Sequence, residues 1–193
     1  MNYLDILRDF INNDIPAAIN GKANYLAALG LSTYTEILGG LYCGDLSGNK
    51  HNLNQNYICF IKDFFRTDYV KVNNELKKAG LNGLYGAVRS GLTHEYFIKK
   101  ISKIEMNNPN PMNCGITYDP NTTPQIVFYV NQYFEDFKSA FEEYYNQLKN
   151  YQYSSMLTNF ANALQSINSN LIGKMTGDFR KDVSGNGFFI QGP

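Results

Sequence analysis

Histidine and cysteine are nearly absent from this 193-residue sequence, which has two of the first (51 and 94) and three of the second (43, 59 and 114). With no CxxC pair and no Cys/His cluster, nothing in the chain has the spacing of a zinc site, and no metal is expected. The odd cysteine count, and an N-terminus (Met1-Asn2-Tyr3-Leu4-Asp5) without the basic-then-apolar build of a signal peptide, point to reduced thiols in a cytoplasmic protein. No apolar run approaches the roughly 20 residues that span a bilayer, so no membrane association is expected. A P-loop, a dinucleotide glycine fingerprint and an HExxH motif are missing as well, and no cofactor is expected. Tryptophan is absent, and the net charge is zero, which argues against strong non-specific attraction to nucleic acid.

What the chain does have is aromatic side chains, 15 Tyr and 13 Phe, within an apolar content of 44% and a charged content of 18%. That composition describes a folded chain with a sizeable core, and the length favours one domain over residues 1–193. Charge is unevenly spread. Residues 50–103 carry ten basic groups against four acidic ones, a surplus of six that the rest of the chain balances. Such asymmetry suits an anionic partner for this region, or equally a solvated mixed surface.

Periodicity predicts a mainly α-helical fold. Leu4, Leu7, Phe10 and Ile11 form the stripe of a first helix, which Asn12-Asn13-Asp14-Ile15-Pro16 is expected to end. A second helix is predicted from about Pro16 to Leu29, with a break at Gly30. Thr33 and Glu36 then have the spacing of a capping box for a third piece, in which Gly39-Gly40 would allow a close helix contact. Residues 44–52 read as a loop holding His51, which is usually just solvated in such surroundings. Further helices are predicted over 54–65, from Thr67 or Asp68 to Gly80, and from Leu81 to Phe97. The pattern then alternates: segments at 101–106, 114–118 and 125–130 predict a small antiparallel β insertion over about 101–130. Asn131 to about Asn150 predicts a long helix with Phe134, Phe137, Phe141, Tyr144, Tyr145 and Leu148 on one face. Ser154 or Ser155 opens a last helix, and the tail over about 173–193 reads as loosely ordered.

The stretch with chemical content is Leu84-Tyr85-Gly86-Ala87-Val88-Arg89-Ser90-Gly91-Leu92-Thr93-His94-Glu95-Tyr96-Phe97. Its apolar residues recur at helical spacing, and Arg89, Thr93 and His94 interrupt them. A guanidinium and an imidazole close together can stabilise phosphate charge and move a proton. On a regular helix, residues five apart stand roughly 140° apart around the axis, so the pair needs either a loosened helix near Gly91 or a cleft reached from two edges. Gly83, Gly86 and Gly91 each cost up to roughly 1 kcal/mol against alanine, which makes sense where another group must come close. Without function, Arg89 would pair with an acidic residue and fix helix packing.

Arg89-Ser90-Gly91-Leu92-Thr93-His94 has the form R-x4-H on an apolar helix, and in this the chain resembles the HEPN superfamily. The resemblance covers the helices around 54–97 and the helix over 131–150. It implies a HEPN-like helical bundle, a homodimer, RNA binding and metal-independent endoribonuclease action by 2′-OH attack, in a toxin-like setting with an antitoxin-like protein partner. In that reading Arg89 steadies the phosphate and His94 is the general base or acid. Ser90 and Thr93 orient the imidazole or bind phosphate oxygens, Glu95 holds one tautomer, Tyr96 stacks on a base, and Lys99 and Lys100 track the backbone. Transesterification needs both a base and an acid, and two copies supply two histidines. Ser90 stands where active members commonly carry asparagine or another strongly polar residue. The alternative reading is therefore a non-catalytic HEPN-like scaffold, or a module that binds a partner or a nucleotide.

Overall fold

The chain is organised around one nearly uncharged helix. The computed structural model describes residues 3–47, 50–95, 102–110, 112–150 and 154–167. Among them α1 (Tyr3–Asn20), α2 (Asn24–Cys43), α3 (Lys50–Phe64) and α4 (Thr67–Lys78) come first. A π-helical turn (Tyr85–Ser90) runs into the short α5 (Gly91–Glu95). Strands β1 (Ser102–Glu105), β2 (Ile116–Tyr118) and β3 (Ile126–Tyr129) precede α6 (Val130–Lys149) and α7 (Ser154–Ile167). Helix α2 packs against α1, α3, α6, α7 and the 85–95 segment. It can do so because small and apolar side chains (Ala27, Ala28, Leu31, Leu38, Gly39, Gly40 and Leu41) are buried around it. The mainly α-helical expectation holds.

Two predicted breaks are not there. Helix α1 runs through Pro16, forfeiting the bond its N–H would have made. Ile15 extends the buried stripe of Leu4, Leu7 and Ile11, and that packing outweighs the lost bond. Gly30 does not break α2 but makes room for α1, since a Cβ there would lie 2.9 Å from Ile15 Cδ1. The chain turns instead at Gly21-Lys22, where Lys22 has φ 56°. Thr33 and Glu36 are consequently in the middle of α2 and cap nothing. His51 lies in the first turn of α3 rather than in a loop.

Gly39 does allow the close helix contact expected of it. A Cβ at this position would sit 2.4 Å from the backbone oxygen of Asn56 in α3, so only glycine lets the two helices meet there. The layer beyond is aromatic. Tyr57, Phe60, Tyr69, Phe128, Tyr133, Phe137, Phe141 and Tyr144 are all essentially inaccessible to solvent. Side chains of this size contribute about 1.5–3 kcal/mol each when fully buried, so they dominate the core.

The small sheet is mixed rather than antiparallel as predicted. Its order is β1-β3-β2, with β1 parallel to β3 (Ser102↔Ile126 through Glu105↔Tyr129) and β2 antiparallel to β3 (Ile116↔Phe128). Strand β3 takes the centre because Ile126 and Phe128 bury one face and both of its edges are paired. Residues 106–125, which include β2, supply the long return that parallel pairing requires. The expected loose tail at 173–193 lies outside the described residues.

Candidate functional site around Arg89

A sharp turn opens the segment that carries Arg89. Gly80, Asn82 and Gly83 all have positive φ (77°, 56° and 70°), and Asn73 of α4 pins the backbone just after them. Its Oδ1 accepts the Leu84 N–H at 3.0 Å, and a Cβ on Gly83 would meet that same oxygen at 2.4 Å. Glycine is thus required at 83 by both the backbone angle and the neighbouring amide. At the far end, Tyr25 of α2 donates its hydroxyl to the Leu92 carbonyl. Leu84, Val88 and Leu92 are fully buried and hold the segment down between these two ties.

Between them the helix is not regular. Residues 85–90 form a π turn in place of the uniform helix predicted over Leu81–Phe97. A wider turn of this kind is uncommon and often lies at functional positions. Two ways were expected to bring Arg89 and His94 together, a helix loosened near Gly91 or a cleft reached from two edges. The backbone shows a loosened turn just before Gly91, while the His94 side chain lies outside the described residues.

Arg89, on the last part of the π turn, faces α2. Its Nε lies 2.9 Å from Oε2 of Glu36, and its Nη2 donates to Oε1 at 3.3 Å. The Nε approach is ionic rather than a well-aligned hydrogen bond. The two side chains retain 16% and 15% of their exposure, so the pair is sheltered but not sealed. Nη1 points the other way and donates to Thr93 Oγ1, and the exposed Thr93 hydroxyl donates to the Arg89 carbonyl at 2.9 Å. Tyr85 stands close enough to Glu36 for the carboxylate to act on its hydroxyl. Burial first, and then the Glu36 carboxylate, push the Tyr85 hydroxyl up to about 12. The guanidinium is thus held by Glu36 on one edge and by the exposed Thr93 hydroxyl on the other.

A neutral polar layer lies beneath. The Tyr85 ring packs edge-on against Tyr57, 5.6 Å between centroids. The Tyr57 and Tyr133 hydroxyls are 3.2 Å apart, and Tyr133 meets Thr35 Oγ1 at 2.9 Å. Further along, Tyr69 donates to Asp136 at 2.7 Å and accepts the Gly115 N–H at 2.8 Å. Burial, reinforced by Asp136, holds the Tyr69 hydroxyl well above its ordinary range.

Of the residues predicted for the site, Arg89 and Thr93 are in contact and Ser90 is half-buried beside them. His94 and Glu95 belong to α5, and their side chains lie outside the described residues, as do Tyr96, Lys99 and Lys100. The residue that sequence reasoning misses is Glu36, which its spacing from Thr33 assigns to a cap. Yet it is the one charged side chain in the twenty residues of α2, and Arg89 is the one cation between Lys78 and Lys99. A lone carboxylate in an apolar helix needs a cationic partner, and that signal is present in the sequence.

The positive surplus over 50–103 is partly cancelled by acidic residues from outside that range, since Arg89 pairs with Glu36 and Lys103 with Glu105. Within it, Arg66 and Lys71 share Asp68 at 3.3 and 2.9 Å. No group of three or more His, Cys, Asp or Glu side chains among the described residues is placed to hold a metal ion. No helix among them is long and apolar enough to cross a membrane. No protein-family model matches the sequence, and no curated protein or solved structure matches it either.

Proposed function

We propose that the chain is a cytoplasmic, dimeric HEPN-like protein that binds RNA at the Arg89 segment and cleaves it without metal by 2′-OH attack. The observation that carries this reading is the placement of the R-x4-H arginine. It stands on a π turn, held by Glu36 on one edge, with its other edge directed to an exposed hydroxyl. In the reaction Arg89 stabilises the negative charge that grows on the phosphorane. His94 takes the 2′-OH proton or returns one to the departing 5′-oxygen, and the histidine of a second copy does the other.

The test is cleavage of a mixed-sequence RNA in EDTA by the wild-type chain and by Arg89→Ala and His94→Ala. Cleavage by the wild type, lost in both variants while their circular dichroism is unchanged, is the expected result. Intact RNA after prolonged incubation with the wild-type chain removes the nuclease.

A second reading has its own support. Glu36 neutralises Arg89 and the pair is mostly buried, which is how a non-catalytic scaffold would fix the segment to α2. It predicts no cleavage, and a large drop in melting temperature for Arg89→Ala with little for His94→Ala.

A further inference from the structure

We infer that Glu36 masks Arg89, so that an RNA phosphate engages this site only by taking the guanidinium away from the carboxylate. The inference rests on the RNA-binding reading above and concerns how that binding is regulated.

Three features of the geometry point to it. First, the two edges of the guanidinium are unequal: Nε and Nη2 are occupied by Glu36, and Nη1 meets the exposed Thr93. A phosphate arriving from solvent meets the Nη1 edge first. To gain the paired two-donor geometry that makes arginine a good phosphate ligand, it must displace the carboxylate. Second, the carboxylate has a potential donor beside it. The Tyr85 hydroxyl lies within electrostatic reach of Glu36 on the same turn that carries Arg89, so a hydroxyl is at hand when the guanidinium swings out. Third, the exchange never leaves the guanidinium bare, since a phosphate takes the place of the carboxylate on the same cation. It does leave the sheltered Glu36 carboxylate without its cation, and that cost is what makes the pair a mask. With the cation already neutralised, a single phosphate gains little by entering. An RNA that makes additional contacts is favoured over mononucleotides or free phosphate.

The experiment uses a short fluorescent single-stranded RNA and the full chain. Anisotropy titrations at several salt concentrations compare wild type with Glu36→Gln and with Glu36→Gln/Arg89→Met. Unmasking should tighten binding about tenfold, the scale of one charge-assisted contact. The gain should vanish in the double variant, a pattern that mere loss of a structural contact does not produce.

Because Glu36→Gln leaves a sheltered cation without its partner, a measurement on the unmodified chain accompanies it. The Arg89 Nε–H resonance is followed by nitrogen-15 NMR as RNA is added, and it should shift and saturate with binding. RNA that binds while this resonance stays put, or Glu36→Gln binding no tighter than wild type, overturns the masking and leaves RNA binding standing. Absence of RNA binding by both the wild type and Glu36→Gln overturns the masking and the underlying reading together.

Discussion

Two polar clusters lie close together in this protein and solve opposite problems. The deeper one links Thr35, Tyr57 and Tyr133, with Tyr69 and Asp136 nearby, and most of its hydroxyls belong to side chains with no exposed surface. Its bonds are mostly between neutral groups, and they satisfy one another inside an aromatic core. The shallower cluster is Arg89, Glu36, Tyr85 and Thr93, a full charge of each sign, sheltered but still reached by solvent and set on an irregular turn. Neutral groups that are fully satisfied have nothing left to offer a ligand, so the deep cluster is architecture. A charge pair at the edge of solvent can exchange partners, and for that reason the proposed RNA chemistry is assigned to the shallow one.

The comparison can be broken most directly at Arg89. Arg89→Ala leaves the Glu36 carboxylate sheltered and unpaired, and should cost about 3 kcal/mol, the lower end for a buried pair broken on one side. Thermal unfolding would register this at roughly 2–4 °C per kcal/mol for a chain of this size. Glu36→Leu combined with Arg89→Met should recover most of the loss, since both charges then leave together. A single-variant cost below about 0.5 kcal/mol would mean an ordinary solvated ion pair and no special cluster.

Next in size is the scaffold on which both clusters rest. Gly39→Ala drives a methyl group into the Asn56 backbone and should destabilise by about 1–3 kcal/mol in denaturant titrations. An unaffected melting curve would mean that α2 and α3 are not in close contact.

Tyr69→Phe sharpens the contrast from the other side. It removes the partner of Asp136 Oδ2, whose Oδ1 keeps Gln132, and strands the Gly115 N–H, at a cost of about 1–2 kcal/mol. RNA affinity at 25 °C should not change, because the deep cluster takes no part in binding. A variant equally stable but weaker in RNA binding would show that the two clusters are coupled.

The smallest effect is expected at Asp68, away from both clusters. Lys71 first, and then Arg66, hold its carboxyl below the usual range. A carboxyl whose folded value is depressed adds stability above its ordinary pKa and loses it as pH falls through the lowered one. Asp68→Asn should therefore shift the urea midpoint only slightly at neutral pH, as exposed ion pairs do, and by nothing once the pH has fallen below the lowered value. An effect as large at acid pH as at neutral pH would assign it to something other than charge.

Much of the fold is legible along the chain. Helix α4 can be placed within a residue or two because its apolar positions recur at helical spacing between Thr67 and Gly80. The expected cap at Thr67 or Asp68 does not form, since the helix starts at Thr67 with Arg66 before it and no capping side chain. Helix α6 shows in its aromatic face, although Tyr133, the residue that ties the deep cluster together, is hidden beside the expected cap at Asn131. Pro16 and Gly30 mislead for a shared reason. Each is a poor helix former taken alone, yet packing between Ile15 and Gly30 carries both helices straight through. Local preference for glycine against alanine amounts to about a kilocalorie per residue, and tertiary burial outweighs it.

By itself, the sequence determined that the chain would be mainly helical with an aromatic core, and that Arg89 would interrupt an apolar helix weakened by glycines. Those properties come from side-chain periodicity and composition, which act over a few residues. Only tertiary structure decided that the 85–90 turn would widen, that β3 would sit between β1 and β2, and that Glu36 would face Arg89 across 53 positions of chain. Pairing of that kind depends on how helices are laid against one another, and a sheltered charge takes whichever opposite charge the packing brings within reach.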